Sequence, residues 1–231
     1  MTVLTATGAG VRHRRRWLVQ GLDLRVEAGE TVAIIGPPGS GRTSALLALA
    51  RRLRLSAGTV EISGTAALGH VPGVEEPEPV FTVAEHIVER LTLLGLPRAG
   101  DVPLHGLDPA LRGRDLTPYQ KQVLGLTLAG LNRPSVIALD GVDAGLDAAE
   151  REALRGLVGE IAASGVAVLV TGREADPVLV DQVVTLDDPQ TGEPGRATVV
   201  RTTEPVNAEA EPVDVEAEPA EAEPVDAEVT A

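Results

Sequence analysis

Apolar residues fall along this chain in short runs of two periods, and the alternation between the periods predicts its architecture. Near the start, Val3-Leu4-Thr5 and the alternating Leu22-Asp23-Leu24-Arg25-Val26, closed by a turn at Glu27-Ala28-Gly29-Glu30, predict antiparallel strands. The unbroken runs Thr31-Val32-Ala33-Ile34-Ile35, Val136-Ile137-Ala138-Leu139 and Val166-Ala167-Val168-Leu169-Val170 predict strands covered on both faces, because neither side of them is polar. Residues 58–62 and 66–71 add two shorter strands, and residues 182–186 an edge strand. Helical spacing takes over at Ser44-Ala45-Leu46-Leu47-Ala48-Leu49, at Val83, Ile87, Leu91 and Leu94, and from Asp147 to Ala163. Two helix starts are marked: Thr117 as N-cap with Pro118 at the first helical position and Gln120 two residues later, and Asp147 with Glu150 three residues later. Residues 95–115 are punctuated by Gly and Pro, with 108–111 as a short helix. Strands alternating with helices predict an α/β fold, a mainly parallel sheet flanked by helices behind an N-terminal antiparallel β part.

Chemistry enters directly after the first unbroken strand, at Gly36-Pro37-Pro38-Gly39-Ser40-Gly41-Arg42-Thr43. Glycines 36, 39 and 41 let the chain curl, so that successive N–H groups from about Ser40 onward converge at a helix N-terminus, where the dipole favours anions. Pro37 and Pro38 lack an N–H, but they precede those donors. This is the phosphate-cradle pattern G-x-x-x-x-G-K-[ST] with Arg42 in the place of the lysine. The charge is kept while the shape changes, from a compact ammonium to a planar fork. Candidate phosphate-binding residues are Gly36, Gly39, Ser40, Gly41, Arg42, Thr43 and Ser44. Thr43 carries the hydroxyl that the pattern places on Mg²⁺, and Asp140, at the tip of a buried strand, supplies a carboxylate to the same metal shell.

Charge divides the chain. Of the net charge of −14, ten units lie in residues 203–231, which hold no basic residue, and this leaves −4 for residues 1–202. The tail repeats Glu-Pro at 204, 211, 218 and 223 and has few large apolar groups, so the expectation is a disordered acidic appendage to a domain spanning 1–202. A nearly neutral body without a basic stripe gives no reason to expect nucleic acid as a partner. The cluster His13-Arg14-Arg15-Arg16-Trp17 reads as a solvated turn beside a half-buried Trp, with contact to phosphate, headgroups or a base as the alternative. There is no cysteine, which excludes thiol chemistry and Cys-ligated metal. No apolar run approaches the roughly 18 residues of a membrane span, and the first residues lack the order of a signal peptide. The expected location is therefore cytoplasmic.

The stretch Val136-Ile137-Ala138-Leu139-Asp140-Gly141-Val142-Asp143-Ala144-Gly145-Leu146-Asp147 resembles the Walker B to D-loop segment of ATP-binding cassette (ABC) ATPases, and the order of phosphate loop, helix start and this segment matches theirs over about residues 3–200. The resemblance implies a P-loop cassette with a small helical subdomain at about 75–131, ATP and Mg²⁺ as ligands, an integral membrane protein as partner, and pairing with a second cassette, a copy or a paralogue. It also implies peripheral attachment at the inner face of the plasma membrane. It further implies five departures. Arg42 replaces the Walker A lysine, Gly141 the catalytic glutamate and Gly172 the switch histidine; Gly73 falls near the Q-loop glutamine, and Pro118-Tyr119 replace the glycines of the signature. Positions that build the fold are kept, and positions that touch the γ-phosphate or the attacking water are not. The expectation is ATP binding with weak or absent hydrolysis and no intact catalytic residue, Asp143 and Glu174 being weak stand-ins for the base. The alternative is a regulatory or scaffolding module that keeps the fold and recruits partners through its tail.

Overall fold

A computed structural model describes residues 1–97, 102–175, 180–188 and 195–202; the tail at 203–231 lies outside the described residues. Two sheets organise it. The first, in the order β2-β1-β4, is antiparallel and joins β1 (Thr2–His13), β2 (Arg16–Glu27) and β4 (Ala57–Ile62). The second has six strands in the order β5-β6-β7-β3-β8-β9, comprising β3 (Thr31–Ile35), β5 (Ala66–Leu68), β6 (Val136–Leu139), β7 (Ala167–Gly172), β8 (Gln182–Leu186) and β9 (Ala197–Arg201). All its neighbours run parallel except β8 and β9.

The apolar strands are covered on both faces, and their side chains part by alternation. Val32, Ile34, Val136, Ala138, Ala167 and Leu169 join a core with the antiparallel sheet and with Leu46 and Leu49 of α1 (Arg42–Leu49). Ala33, Ile137, Leu139, Val168 and Val170 join a second core on the opposite face. That core is completed by α2 (Val83–Leu93), α3 (Pro118–Gly130) and α4 (Ala148–Ala163). Among the described residues, three of the four α-helices begin on capping boxes, at Thr82 with Glu85, Thr117 with Gln120 and Asp147 with Glu150. The fourth, α1, begins on Gly41 in the left-handed region, without a side-chain cap.

Two expectations change. Residues 182–186 are not an edge, because β8 is hydrogen-bonded on both sides and β9 forms the border. The short helix expected at 108–111 is a turn: Asp108 Oδ1 accepts the Ala110 N–H and its carbonyl accepts the Leu111 N–H. An Asx side chain that satisfies the next amides ends the helix before it propagates. A single 3-10 turn follows instead at Gly113–Asp115.

The basic cluster forms the tip of the β1–β2 hairpin, with Arg14 at φ 56° and residues 12–16 exposed. Trp17 is half-buried, and the Arg12 guanidinium lies 5.7 Å from its ring centroid. The hairpin also reaches the phosphate loop, since a β-carbon on Gly41 would lie 2.6 Å from the Leu18 carbonyl oxygen. Gly41, at φ 100°, is therefore held to glycine by both conformation and space.

Candidate functional site

The site stands at the carboxyl ends of β3, β6 and β7, which lie next to one another in the sheet. From Ile35 the chain leaves β3, turns through Gly36, Gly39 and Gly41, and enters α1 at Arg42. Gly36 is closely hemmed, because a β-carbon there would meet Ser40 Oγ at 2.7 Å and the Leu186 carbonyl oxygen at 2.8 Å. Ser40 is buried, its N–H donates to the Pro37 carbonyl at 3.1 Å, and its hydroxyl has no partner among the described residues. The first helical bond of α1 runs from the Ala45 N–H to the Gly41 carbonyl, so the amides of Arg42, Thr43 and Ser44 precede the ladder and stand at its positive end. Residues 36, 39, 40, 41, 42, 43 and 44 are thus gathered around one turn.

Thr43 and Asp140 meet at this place. Thr43 Oγ1 donates to Asp140 Oδ2 at 2.8 Å, and the Thr171 hydroxyl donates to Asp140 Oδ1. The Thr171 hydroxyl in turn accepts the Gly141 N–H at 2.8 Å. The backbone of Asp140 is fixed as well, its N–H donating to the His70 carbonyl and its carbonyl accepting Gln122 Nε2 at 2.9 Å. Thr171 and Gln122 were not singled out from sequence. Their only signal was position: a hydroxyl at the end of an apolar strand, and one amide inside an apolar helix face.

Arg42 crosses this end of the site. Its Nη1 donates to the Gly172 carbonyl at 2.5 Å, so the guanidinium joins the start of α1 to the end of β7. Asp143 Oδ2 accepts the Arg173 N–H at 2.8 Å and lies 3.7 Å from where a β-carbon of Gly172 would be. One oxygen of its carboxylate is engaged by that backbone, and Glu174 is exposed. Gly141 has φ +65°. Gly73 is exposed in a separate loop, its N–H capped by Glu76 Oε1 at 3.1 Å.

The ligand chemistry follows from these donors. Converging amides, the N-terminus of α1 and a guanidinium suit phosphate. A hydroxyl and a carboxylate oxygen are hard donors that suit Mg²⁺. A β-carbon at 36 or 41 would collide with the loop's supports, so the glycines hold the curled shape that aims those amides.

Fold and site together define a P-loop cassette. The family described as ABC transporter matches residues 19–142. The zinc import ATP-binding protein ZnuC of Ruegeria sp. (strain TM1040) is 29% identical over 197 residues, covering 81% of this chain and 78% of that one. ZnuC of Paramagnetospirillum magneticum (strain ATCC 700264 / AMB-1) is 30% identical over 197 residues, covering 81% and 74%. Among solved structures, the dimeric post-hydrolysis state of the ATP-binding cassette MJ0796 bound to ADP and Pi superposes with a TM-score of 0.69 at 17% identity, covering 87% of this chain and 99% of that one. The chain belongs to the ABC transporter family, as an ATP-binding subunit.

Proposed function

We propose that this cassette binds Mg-ATP through Gly36, Gly39, Ser40, Gly41, Arg42, Thr43 and Ser44, with Thr43 and Asp140 holding the metal, and hydrolyses it weakly or not at all. The observation that carries the reading is the Thr43–Asp140 contact at 2.8 Å beside the amides that open α1. Bound Mg²⁺ would neutralise phosphate charge, and this chain's own part is to orient Asp140 through Thr171, Gln122 and the His70 carbonyl. What argues against turnover is equally local. Neither Gly141 nor Gly172 carries a group that can polarise water, and Asp143 is held by the Arg173 amide. Among the described residues no helix is long and apolar enough to cross a membrane, so in this reading coupling to transport runs through a separate integral membrane protein. The region from 72 to 115 serves as its docking patch, at the inner face of the plasma membrane, and a second cassette, a copy or a paralogue, completes the assembly.

Titration with a fluorescent ATP analogue, with and without Mg²⁺, tests the binding half: the expectation is micromolar or weaker affinity that Asp140→Ala makes insensitive to Mg²⁺. Phosphate release measured with the membrane partner present tests the other half. Steady turnover that Asp140→Ala abolishes would sink the claim of weak hydrolysis.

The Arg42–Gly172 bond favours a second reading, in which the fold survives as a regulatory or scaffolding module. That version requires no nucleotide affinity and loss of the partner when residues 203–231 are deleted. Unchanged partner recovery after the deletion removes it.

A further inference from the structure

We propose that Arg42 makes this site selective for a nucleoside diphosphate over the corresponding triphosphate. The inference rests on the nucleotide-binding reading above and adds to it a preference among nucleotides. Its basis is the placement of the guanidinium. Arg42 is the first residue of α1, yet its Nη1 donates to a carbonyl at the far end of β7, 130 positions along the chain. The side chain therefore lies across the cleft between the phosphate loop and the strand ends at Gly141 and Gly172, rather than along the loop.

A guanidinium has five N–H donors in a fixed plane, and the bond to Gly172 uses one. The others remain for an anion seated on the amides at the start of α1, and a planar fork grips phosphate oxygens in pairs. A chain of two phosphates ends against that fork. A third phosphate has to lie in the path the side chain occupies, which requires the bond to Gly172 to open. The triphosphate finds no compensating group there, because Gly141 and Gly172 present no side chain. A ligand can shift such an arrangement only by its differential affinity for the open form, and the triphosphate has lost the contacts that would provide it. Breaking a hydrogen bond made by a charged group corresponds to a factor of about ten or more in affinity.

The test is isothermal titration calorimetry of the full chain with ADP and with the non-hydrolysable analogue AMP-PNP, in excess Mg²⁺ and in EDTA, on wild type, Arg42→Ala and Arg42→Lys. Thermal melts confirm that each variant is folded. The expected result for wild type is ADP binding about tenfold or more tighter than AMP-PNP. Arg42→Ala should weaken ADP and bring the two within about threefold. Arg42→Lys, which keeps the charge on a compact head, should tighten AMP-PNP by about tenfold. Wild type that binds AMP-PNP as tightly as ADP, or a preference that survives in Arg42→Ala, overturns the selectivity while leaving nucleotide binding intact. Binding of neither nucleotide by wild type overturns the nucleotide-binding reading and this inference with it.

Discussion

The ring of Pro118 rests against Gly145: a β-carbon built on Gly145, which has φ +74°, would lie 3.2 Å from the proline Cγ. The start of α3 and the turn before α4 are thus in contact. The first turn of α3 is also closed on itself. The Gln120 N–H donates to Thr117 Oγ1 at 3.2 Å, the Thr117 N–H donates to Gln120 Oε1 at 3.0 Å, and Pro118 has no N–H to offer. The amides of Thr117 and Gln120 are thus spent inside this chain.

Two copies of this cassette should therefore not pair in a nucleotide-dependent way. In sedimentation velocity, adding Mg²⁺ and AMP-PNP to the purified protein is expected to leave the sedimentation coefficient unchanged. A nucleotide-dependent dimer would show that the capping box opens on contact with the partner. Pairing that does depend on nucleotide is expected only with a cassette whose own loop and signature are complete.

If hydrolysis is weak as proposed, raising it should need more than a glutamate at position 141. Gly141 has φ +65°, where a side chain is strained by about 1 kcal/mol. Gly172 is not among the positive-φ glycines, but a β-carbon there would meet the Glu174 carbonyl oxygen at 3.1 Å. Gly141→Glu is expected to lower stability by roughly that amount and to release no phosphate above background, alone or with Gly172→His. Arg42 still crosses the cleft in both variants. Turnover by Gly141→Glu alone would contradict this. The triple variant with Arg42→Lys is the smallest set expected to respond.

His70 should make stability depend on pH near neutrality. It is buried, its Nδ1 has no partner among the described residues, and burial first, then the charge of Lys121, lowers its pKa from the usual 6.5. The Glu75 backbone and the Glu76 and Asp140 carboxylates oppose that shift. The folded state thus takes up the proton at lower pH than the unfolded chain. The contribution is complete above about 6.5 and is lost as pH falls from there through the folded pKa. In urea unfolding between about pH 7.5 and 5.5, wild type should lose more stability than His70→Gln, by at most about 1.4 kcal/mol per pH unit, the limit for one proton. Equal losses in the two proteins would remove His70 as the cause.

What could be read from the chain was whatever is fixed locally. The continuous runs at 31–35 and 136–139 become the central strands, and the capping residues Thr117 and Asp147 begin helices where they stand. The glycine-loop pattern and the carboxylate at a strand end assigned Gly36, Thr43 and Asp140 to one site, and Thr43 and Asp140 are in contact there. What escaped depends on tertiary placement. β9 is a five-residue strand whose exposed positions predict little until β8 supplies a neighbour. Nothing in the sequence says that the carbonyl of Gly172 will lie within reach of Arg42, or that Thr171 will hold Asp140.

Thr171 carries the last prediction, because its hydroxyl works in both directions. It donates to Asp140 and accepts from the Gly141 amide, and the residue is only 2% exposed. Thr171→Val keeps shape and packing but leaves a buried carboxylate oxygen and a backbone N–H without this partner, which costs about 1–3 kcal/mol. Thr171→Ser keeps the hydroxyl and loses one methyl, so it should retain most of that stability. Asp140 without its second restraint should also hold metal less well, since partners that orient a metal ligand typically change affinity by about 10–100-fold. Chemical denaturation in EDTA reads the first effect, and the Mg²⁺ dependence of nucleotide affinity reads the second. Valine and serine variants that behave alike in both would show that the hydroxyl does not position Asp140. A valine variant that loses stability but keeps the Mg²⁺ dependence would confine Thr171 to a structural role.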